Sequence, residues 1–242
     1  MNWFVNCINK KRYREGMWRM KLFLDTANID EIKNAYRLGI ISGVTTNPSI
    51  LLKSQKQREE AVKDILNITD GFVFAQTTSV NCNDIVREAK KLANLNKDRL
   101  VIKIPLTIEG IQAISFLNQE SVKTLATAVF TEGQAYVAAC AGADFIAPYI
   151  NRMENNGINS INVIQRIRKI YDMNNFKTQI LAASFRNVEQ VIRSLVSGAH
   201  CVTISYDILE NLINNSLTDI SIKKFDSDWE KLQKYSKMGS II

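Results

Sequence analysis

Leu100-Val101-Ile102-Lys103-Ile104-Pro105 is an apolar run interrupted by one lysine, and an amphipathic stretch at 108–118 follows it. The run reads as a buried strand and the stretch after it as a helix packed on that strand. The same unit recurs in both directions along the chain. Strand-like runs stand at 21–25, 43–46, 72–77, 100–104, 124–129, 145–149, 179–183 and 201–205. Helical stretches stand at 29–38, 58–67, 82–94, 108–118, 132–141, 161–173, 188–197 and 206–216, many opened by a polar residue able to cap. Eight strands alternating with eight crossovers point to parallel βαβ units closed into a TIM (β/α)8 barrel rather than an open sheet.

At 242 residues the chain suits one such barrel. The barrel is assigned to 21–221. A tail at 222–242 carries Phe225, Trp229 and Leu232 three or four apart, which reads as an additional C-terminal helix packed on the barrel or on a neighbouring subunit. Residues 1–20 have no place in the strand count, so they are read as a flexible arm or a start-site artefact, with Met17 and Met20 as alternative starts. Gly39, Gly71, Gly142 and Gly198 precede strands, where a chain leaving a helix C-terminus needs positive φ.

Hydrophobic residues make up 46% of the chain and charged residues 23%, as in ordinary globular proteins. No apolar run approaches the length that crosses a bilayer, so no membrane association is expected. The N-terminal residues lack an uninterrupted apolar core with a small-residue cleavage site. Cys7, Cys82, Cys140 and Cys201 form no Cys-x-x-Cys pair, which fits thiols in a reducing cytoplasm. The formal charge of +7 is spread along the chain apart from Lys10, Lys11, Arg12 and Arg14, so it reads as solvated helix faces or affinity for anionic substrates, not as a nucleic-acid footprint.

Barrel enzymes gather their chemistry at the C-terminal ends of the strands. Lys103 lies on the face of its run opposite Ile102 and Ile104. If that face is the interior, lost hydration lowers its pKa and makes the amine a nucleophile toward a carbonyl; the plain alternative is a lysine snorkelling at a strand end. Asp25 closes the first run, either to hold an ammonium or substrate hydroxyl or to cap the next helix. Thr45, Asn47, Gln76, Thr127, Tyr149 and Ser184 recur at the same end and together would form a polar ring, although each alone suits a turn or cap. Arg152 and Arg186 follow strands six and seven, where barrels commonly bind phosphate, with surface ion pairs as the alternative. The single histidine, His200, lies at the opposite end, so histidine triads and multi-histidine metal sites are unavailable. No Gly-x-Gly-x-x-Gly or Walker loop is present.

In these motifs the chain resembles the transaldolase family, and within it the small fructose-6-phosphate aldolase branch. The resemblance rests on Leu24-Asp25-Thr26, Gly43-Val44-Thr45-Thr46-Asn47-Pro48-Ser49, Ile102-Lys103-Ile104-Pro105 with Glu109-Gly110, Ala147-Pro148-Tyr149-Ile150-Asn151-Arg152 and Ala182-Ala183-Ser184-Phe185. It implies a TIM barrel in which Lys103 forms a Schiff base, assisted by Asp25. Gln76, Thr127 and Tyr149 would hold a proton-relaying water, Asn47 and Thr45 would bind substrate hydroxyls, and Arg152 and Ser184 the phosphate. Transaldolases proper usually carry Glu and Phe in place of Gln76 and Tyr149, and Val-Gly-Arg in place of Ile150-Asn151-Arg152. On that pattern the expected reaction is reversible cleavage of fructose 6-phosphate to dihydroxyacetone and glyceraldehyde 3-phosphate, without cofactor or metal. The alternatives are transaldolase transfer and a non-catalytic phosphosugar-binding barrel. A pentameric or decameric ring is the assembly the resemblance implies.

Overall fold

The structure is a computed structural model that describes residues 21–238. The readings made for 1–20, including Cys7 and the basic cluster, lie outside the described residues. Eight parallel strands close into a barrel in sequence order: β1 (Lys21–Asp25), β2 (Ile41–Thr45), β3 (Phe72–Gln76), β4 (Leu100–Pro105), β5 (Thr124–Val129), β6 (Phe145–Pro148), β7 (Gln179–Ala182) and β8 (Cys201–Ile204). β8 pairs back onto β1, with Phe23 opposite Thr203 and Leu24 opposite Ile204.

The helices are α1 (Ile29–Arg37), α2 (Pro48–Ser54), α3 (Arg58–Ile68), α4 (Cys82–Ala93), α5 (Ile108–Gln119), α6 (Glu132–Cys140), α7 (Ile150–Asn155), α8 (Ser160–Met173), α9 (Val188–Val196), α10 (Tyr206–Ile213) and α11 (Ser216–Met238). Two of them, α2 and α7, are short helices that the strand-helix count did not anticipate. α11 also begins earlier than the expected 222. Asn28, Asn47, Asn81, Thr107, Thr131, Asn159 and Asn187 cap seven helices through their side chains. In this parallel barrel the helix N-termini lie at the strand C-terminal end, so their positive dipole ends face the mouth where the polar residues gather.

Inside the barrel, Phe23, Phe74, Val101, Leu125, Phe145, Leu181 and Cys201 form one buried cluster. Phe74 meets Phe23 and Phe145 edge-on, with ring centroids 5.3 and 5.4 Å apart. Such pairs add roughly 0.5–1.5 kcal/mol each beyond their burial. More important for function, they put a dry floor beneath the next layer of side chains. Ile102 and Ile104 are fully buried on the other face of β4, so strand alternation sets Lys103 on the Val101 side, the interior.

Gly39, Gly142 and Gly198 have positive φ as expected. Gly71 does not need one. A Cβ there would lie 2.1 Å from the Ser42 carbonyl oxygen, so close passage of the chain beside β2 requires its glycine. The chain divides into two compact units after Tyr206. The second unit holds the long helix α11, whose Leu217, Ile220, Phe225, Trp229 and Leu232 are exposed. No helix among the described residues is long and apolar enough to cross a membrane.

Candidate active site

Strand register brings the polar residues into one layer above the aromatic floor. Asp25 pairs with Thr45, Gln76 with Lys103, and Pro105 with Thr127, while Tyr149 bridges to Ala183 just beyond β6. Lys103, Asp25, Thr45, Gln76, Thr127 and Tyr149 therefore lie on consecutive walls of the barrel at its C-terminal end.

Lys103 is 5% exposed, and its Nζ donates to the Thr46 carbonyl oxygen at 2.8 Å. Burial pushes its pKa below the ordinary lysine value, while the nearby Asp25 charge pulls it back up. Asp25 shows the reverse balance: burial raises its pKa, and Lys103 and a Thr45 hydrogen bond lower it. Burial thus works against the charge on both groups, and each favours the charged form of the other. A snorkelling lysine would keep its ammonium in water; this one does not.

Thr45 is 1% exposed, and its hydroxyl donates to Asp25 Oδ1 at 2.5 Å. The same oxygen lies 2.6 Å from Thr203 Oγ1. Across the barrel, Thr127 Oγ1 and Tyr149 Oη are 2.9 Å apart, and Phe130 packs edge-on against the Tyr149 ring at 5.9 Å. This pair sits at an irregularity. The β5–β6 register shifts between Thr127 and Val129, and Ala128 takes φ 60°, a left-handed conformation that costs an alanine of order 1 kcal/mol. Bulges of this kind commonly re-aim side chains beside active sites.

At the rim, the Arg152 guanidinium stands 4.9 Å over the Tyr149 ring, close enough for cation–π attraction. Ser184 lies two residues past the end of β7 with φ 62°, and its carbonyl accepts the Asn151 N–H at 2.8 Å. Those links draw the chain after β7 against the start of α7 and set Arg152 and Ser184 on adjoining segments. Asn47 accepts the Ile50 N–H at 3.0 Å as the cap of α2. The exposed Arg186 lies farther along this rim, its backbone N–H on Gln190 Oε1 at 2.8 Å.

Thr203, Thr46 and the Arg58–Glu88 pair were not singled out from sequence. Arg58 donates to Glu88 and, at 3.0 Å, to the Gln76 carbonyl oxygen. Glu88 also accepts the Thr78 and Ser79 N–H groups at 3.0 and 2.9 Å. The pair ties down the backbone on either side of Thr77 and hence the exit of β3. Glu109 similarly accepts the Cys82 N–H at 2.7 Å, joining the starts of α5 and α4.

His200 accepts the Ile180 N–H on Nδ1 at 2.9 Å, and burial pushes its pKa down to about 4, so it serves the far end of the barrel as a neutral ring. Among the described residues, no three His, Cys, Asp or Glu side chains gather in a way that could hold a metal ion.

A closed parallel (β/α)8 barrel with a buried lysine and a half-buried carboxylate on its inner wall places the chain among the lysine-bearing barrels. The chain matches the family described as transaldolase/fructose-6-phosphate aldolase over residues 22–237, and it belongs to that family. It is 41% identical over 212 residues to a protein of Clostridium acetobutylicum named "Probable transaldolase", covering 88% of this chain and 98% of that one. A protein of the same name from Caldicellulosiruptor saccharolyticus is 44% identical over 216 residues, covering 89% and 99% of the two chains. Another from Dictyoglomus turgidum is 41% identical over 215 residues, covering 89% and 100%. The chain is an enzyme of the transaldolase/aldolase type.

Proposed function

We propose that the protein is a class I aldolase that cleaves fructose 6-phosphate reversibly to dihydroxyacetone and glyceraldehyde 3-phosphate. The observation that carries this reading is the Lys103 amine, buried on the inner wall beside Asp25 with burial favouring its neutral form. A neutral amine attacks the ketone carbon and loses water to give an iminium. Asp25 takes the proton of the hydroxyl on the carbon two removed from the iminium carbon. The bond from that carbon to the one adjacent to the iminium breaks, its electrons pass to the iminium to form an enamine, and the deprotonated hydroxyl becomes the aldehyde. Glyceraldehyde 3-phosphate leaves. Protonation of the enamine carbon and hydrolysis then free dihydroxyacetone and return the amine.

Thr127 and Tyr149, 2.9 Å apart, together with Gln76 hold the water that moves protons in the carbinolamine and hydrolysis steps. The Asn47 side-chain oxygen is engaged as a helix cap, so its NH2 group is the part offered to a substrate hydroxyl. Arg152 and Ser184 bind the phosphate at the rim. Exposed Phe225 and Trp229 on α11 seat on a neighbouring copy in a homo-oligomeric ring.

The relatives' shared name favours a second reading, transfer of the three-carbon unit to an aldose phosphate. The two share every step up to the enamine. A coupled assay with and without erythrose 4-phosphate separates them: dihydroxyacetone release independent of acceptor supports the aldolase, and transfer far exceeding release supports the transaldolase.

A further inference from the structure

Asp25 stands at the end of β1 between two strands that both present threonines. On one side Asp25 pairs with Thr45 of β2. On the other, β8 runs beside β1 with Thr203 opposite Phe23. Thr203 is 4% exposed, and its Oγ1 lies 2.6 Å from Thr45 Oγ1, which is itself 2.5 Å from Asp25 Oδ1. Three side chains from three adjacent strands therefore form one line of hydrogen bonds in a dry interior.

Proton counting orients that line. A hydroxyl has one hydrogen, and a carboxylate can only accept. With Asp25 ionised, Thr45 must give its hydrogen to the carboxylate, and the short Thr45–Thr203 contact is then satisfied only if Thr203 donates to Thr45. Chains of this polarity strengthen link by link, because each donor is polarised by the acceptor beyond it. The Thr45 hydroxyl thereby spends its one hydrogen on Asp25 and keeps a single lone pair with which to accept from a substrate hydroxyl. Its partner is Asp25.

We propose that Thr203 is a positioning residue for catalysis: through Thr45 it orients the donor that holds Asp25 in its working ionised form. This rests on Asp25 acting as the proton acceptor of the proposed aldolase reaction. Among the described residues, the charge that acts on Asp25 is Lys103 of β4, while β2 and β8 present the hydroxyls of Thr45 and Thr203.

The test compares Thr203→Val, which keeps the β-branched shape and removes the hydroxyl, with Thr203→Ser, which keeps the hydroxyl and removes a methyl group. Loss of one hydrogen bond in the line lowers kcat about three- to tenfold with KM nearly unchanged. Because the Thr45 bond lowers the Asp25 pKa, weakening it moves the acid limb of the kcat profile to higher pH in the valine variant. Thr203→Ser keeps both the rate and the limb of the parent. Should Thr203→Val fail to fold, Thr203→Cys, a poor donor of similar size, shows the same shift in smaller measure.

An acid limb that stays in place in the valine variant, or serine and valine variants impaired alike, would overturn the proposal by showing that Thr203 only fills space. Borohydride trapping with fructose 6-phosphate is run alongside. A parent enzyme that forms no lysine adduct refutes the underlying aldolase reading, whereas normal trapping with an unmoved acid limb refutes Thr203 alone.

Discussion

The hydroxyls of Thr127 and Tyr149 lie 2.9 Å apart across the β5–β6 seam, at the point where Ala128 turns through φ 60°. A shared water beside two hydroxyls can pass a proton either way. Tyr149→Phe removes one of them and keeps the ring that packs against Phe130 and Arg152. Acceptor-free release of dihydroxyacetone is expected to fall about 10- to 100-fold, while transfer to erythrose 4-phosphate falls less. Product analysis with and without acceptor reads that ratio. An unchanged ratio would remove Tyr149 from the proton path.

Lys103 is held in the interior at a cost in stability, because burial disfavours its charged form. Lys103→Met should abolish turnover and, at a pH where Asp25 without its cation is protonated, raise thermal stability by about 1 kcal/mol, as commonly follows when a buried functional group is made apolar. Calorimetry on parent and variant checks the sign, and a marked loss of stability would mean that the Lys103–Thr46 bond holds the barrel.

The Arg58–Glu88 pair links acid stability to the exit of β3. Hydrogen bonds from Arg58, Ser79 and Thr78 outweigh desolvation and hold the Glu88 carboxyl down to about 2, against 4.5 in an unfolded chain. Its contribution is fully present above about pH 4.5 and is lost as pH falls toward 2. The difference corresponds to at most about 3 kcal/mol. Urea unfolding of the parent and of Glu88→Gln across that window should give curves that converge as the pH falls. Parallel curves would contradict the assignment.

Gly110 lies under Pro105 at the end of the lysine strand. A Cβ there would meet the Pro105 carbonyl oxygen at 2.1 Å, so Gly110→Ala must push α5 away from β4. A loss of about 2–4 kcal/mol is expected, with a fall in kcat from displacement of Lys103. Thermal melts and rates measured together check both. A variant with parental stability would show that α5 can shift freely.

The alternation of apolar runs and amphipathic stretches carried the architecture, because each parallel strand is buried on both faces and each helix on one. α2 and α7 escaped that reading for opposite reasons. α2 is announced by Asn47-Pro48, a cap followed by the residue best suited to a first helical position, but is too short to show a period. α7 begins at Ile150, and Tyr149 before it makes no side-chain cap, so nothing local marks it. The early start of α11 at Ser216 is hidden by the polar residues of its first turn.

The inner-wall residues of β1 to β6 were legible because alternation and strand ends fix both face and height. Thr203 was not, since a threonine inside Cys201-Val202-Thr203-Ile204 looks like any β-branched strand residue until β8 closes onto β1. Arg58 and Glu88 meet only through tertiary packing between α3 and α4, and no spacing encodes that. Ser184 was found at its position, but its left-handed backbone belongs to the turn out of β7 and has no sequence signal of its own.

The most direct measurement is borohydride reduction of the enzyme in the presence of fructose 6-phosphate, followed by peptide mapping by mass spectrometry. A single adduct on the peptide containing Lys103, absent without sugar and absent in Lys103→Met, is the predicted result. An unmodified chain, or an adduct on another lysine, would contradict the assignment of Lys103 as the nucleophile.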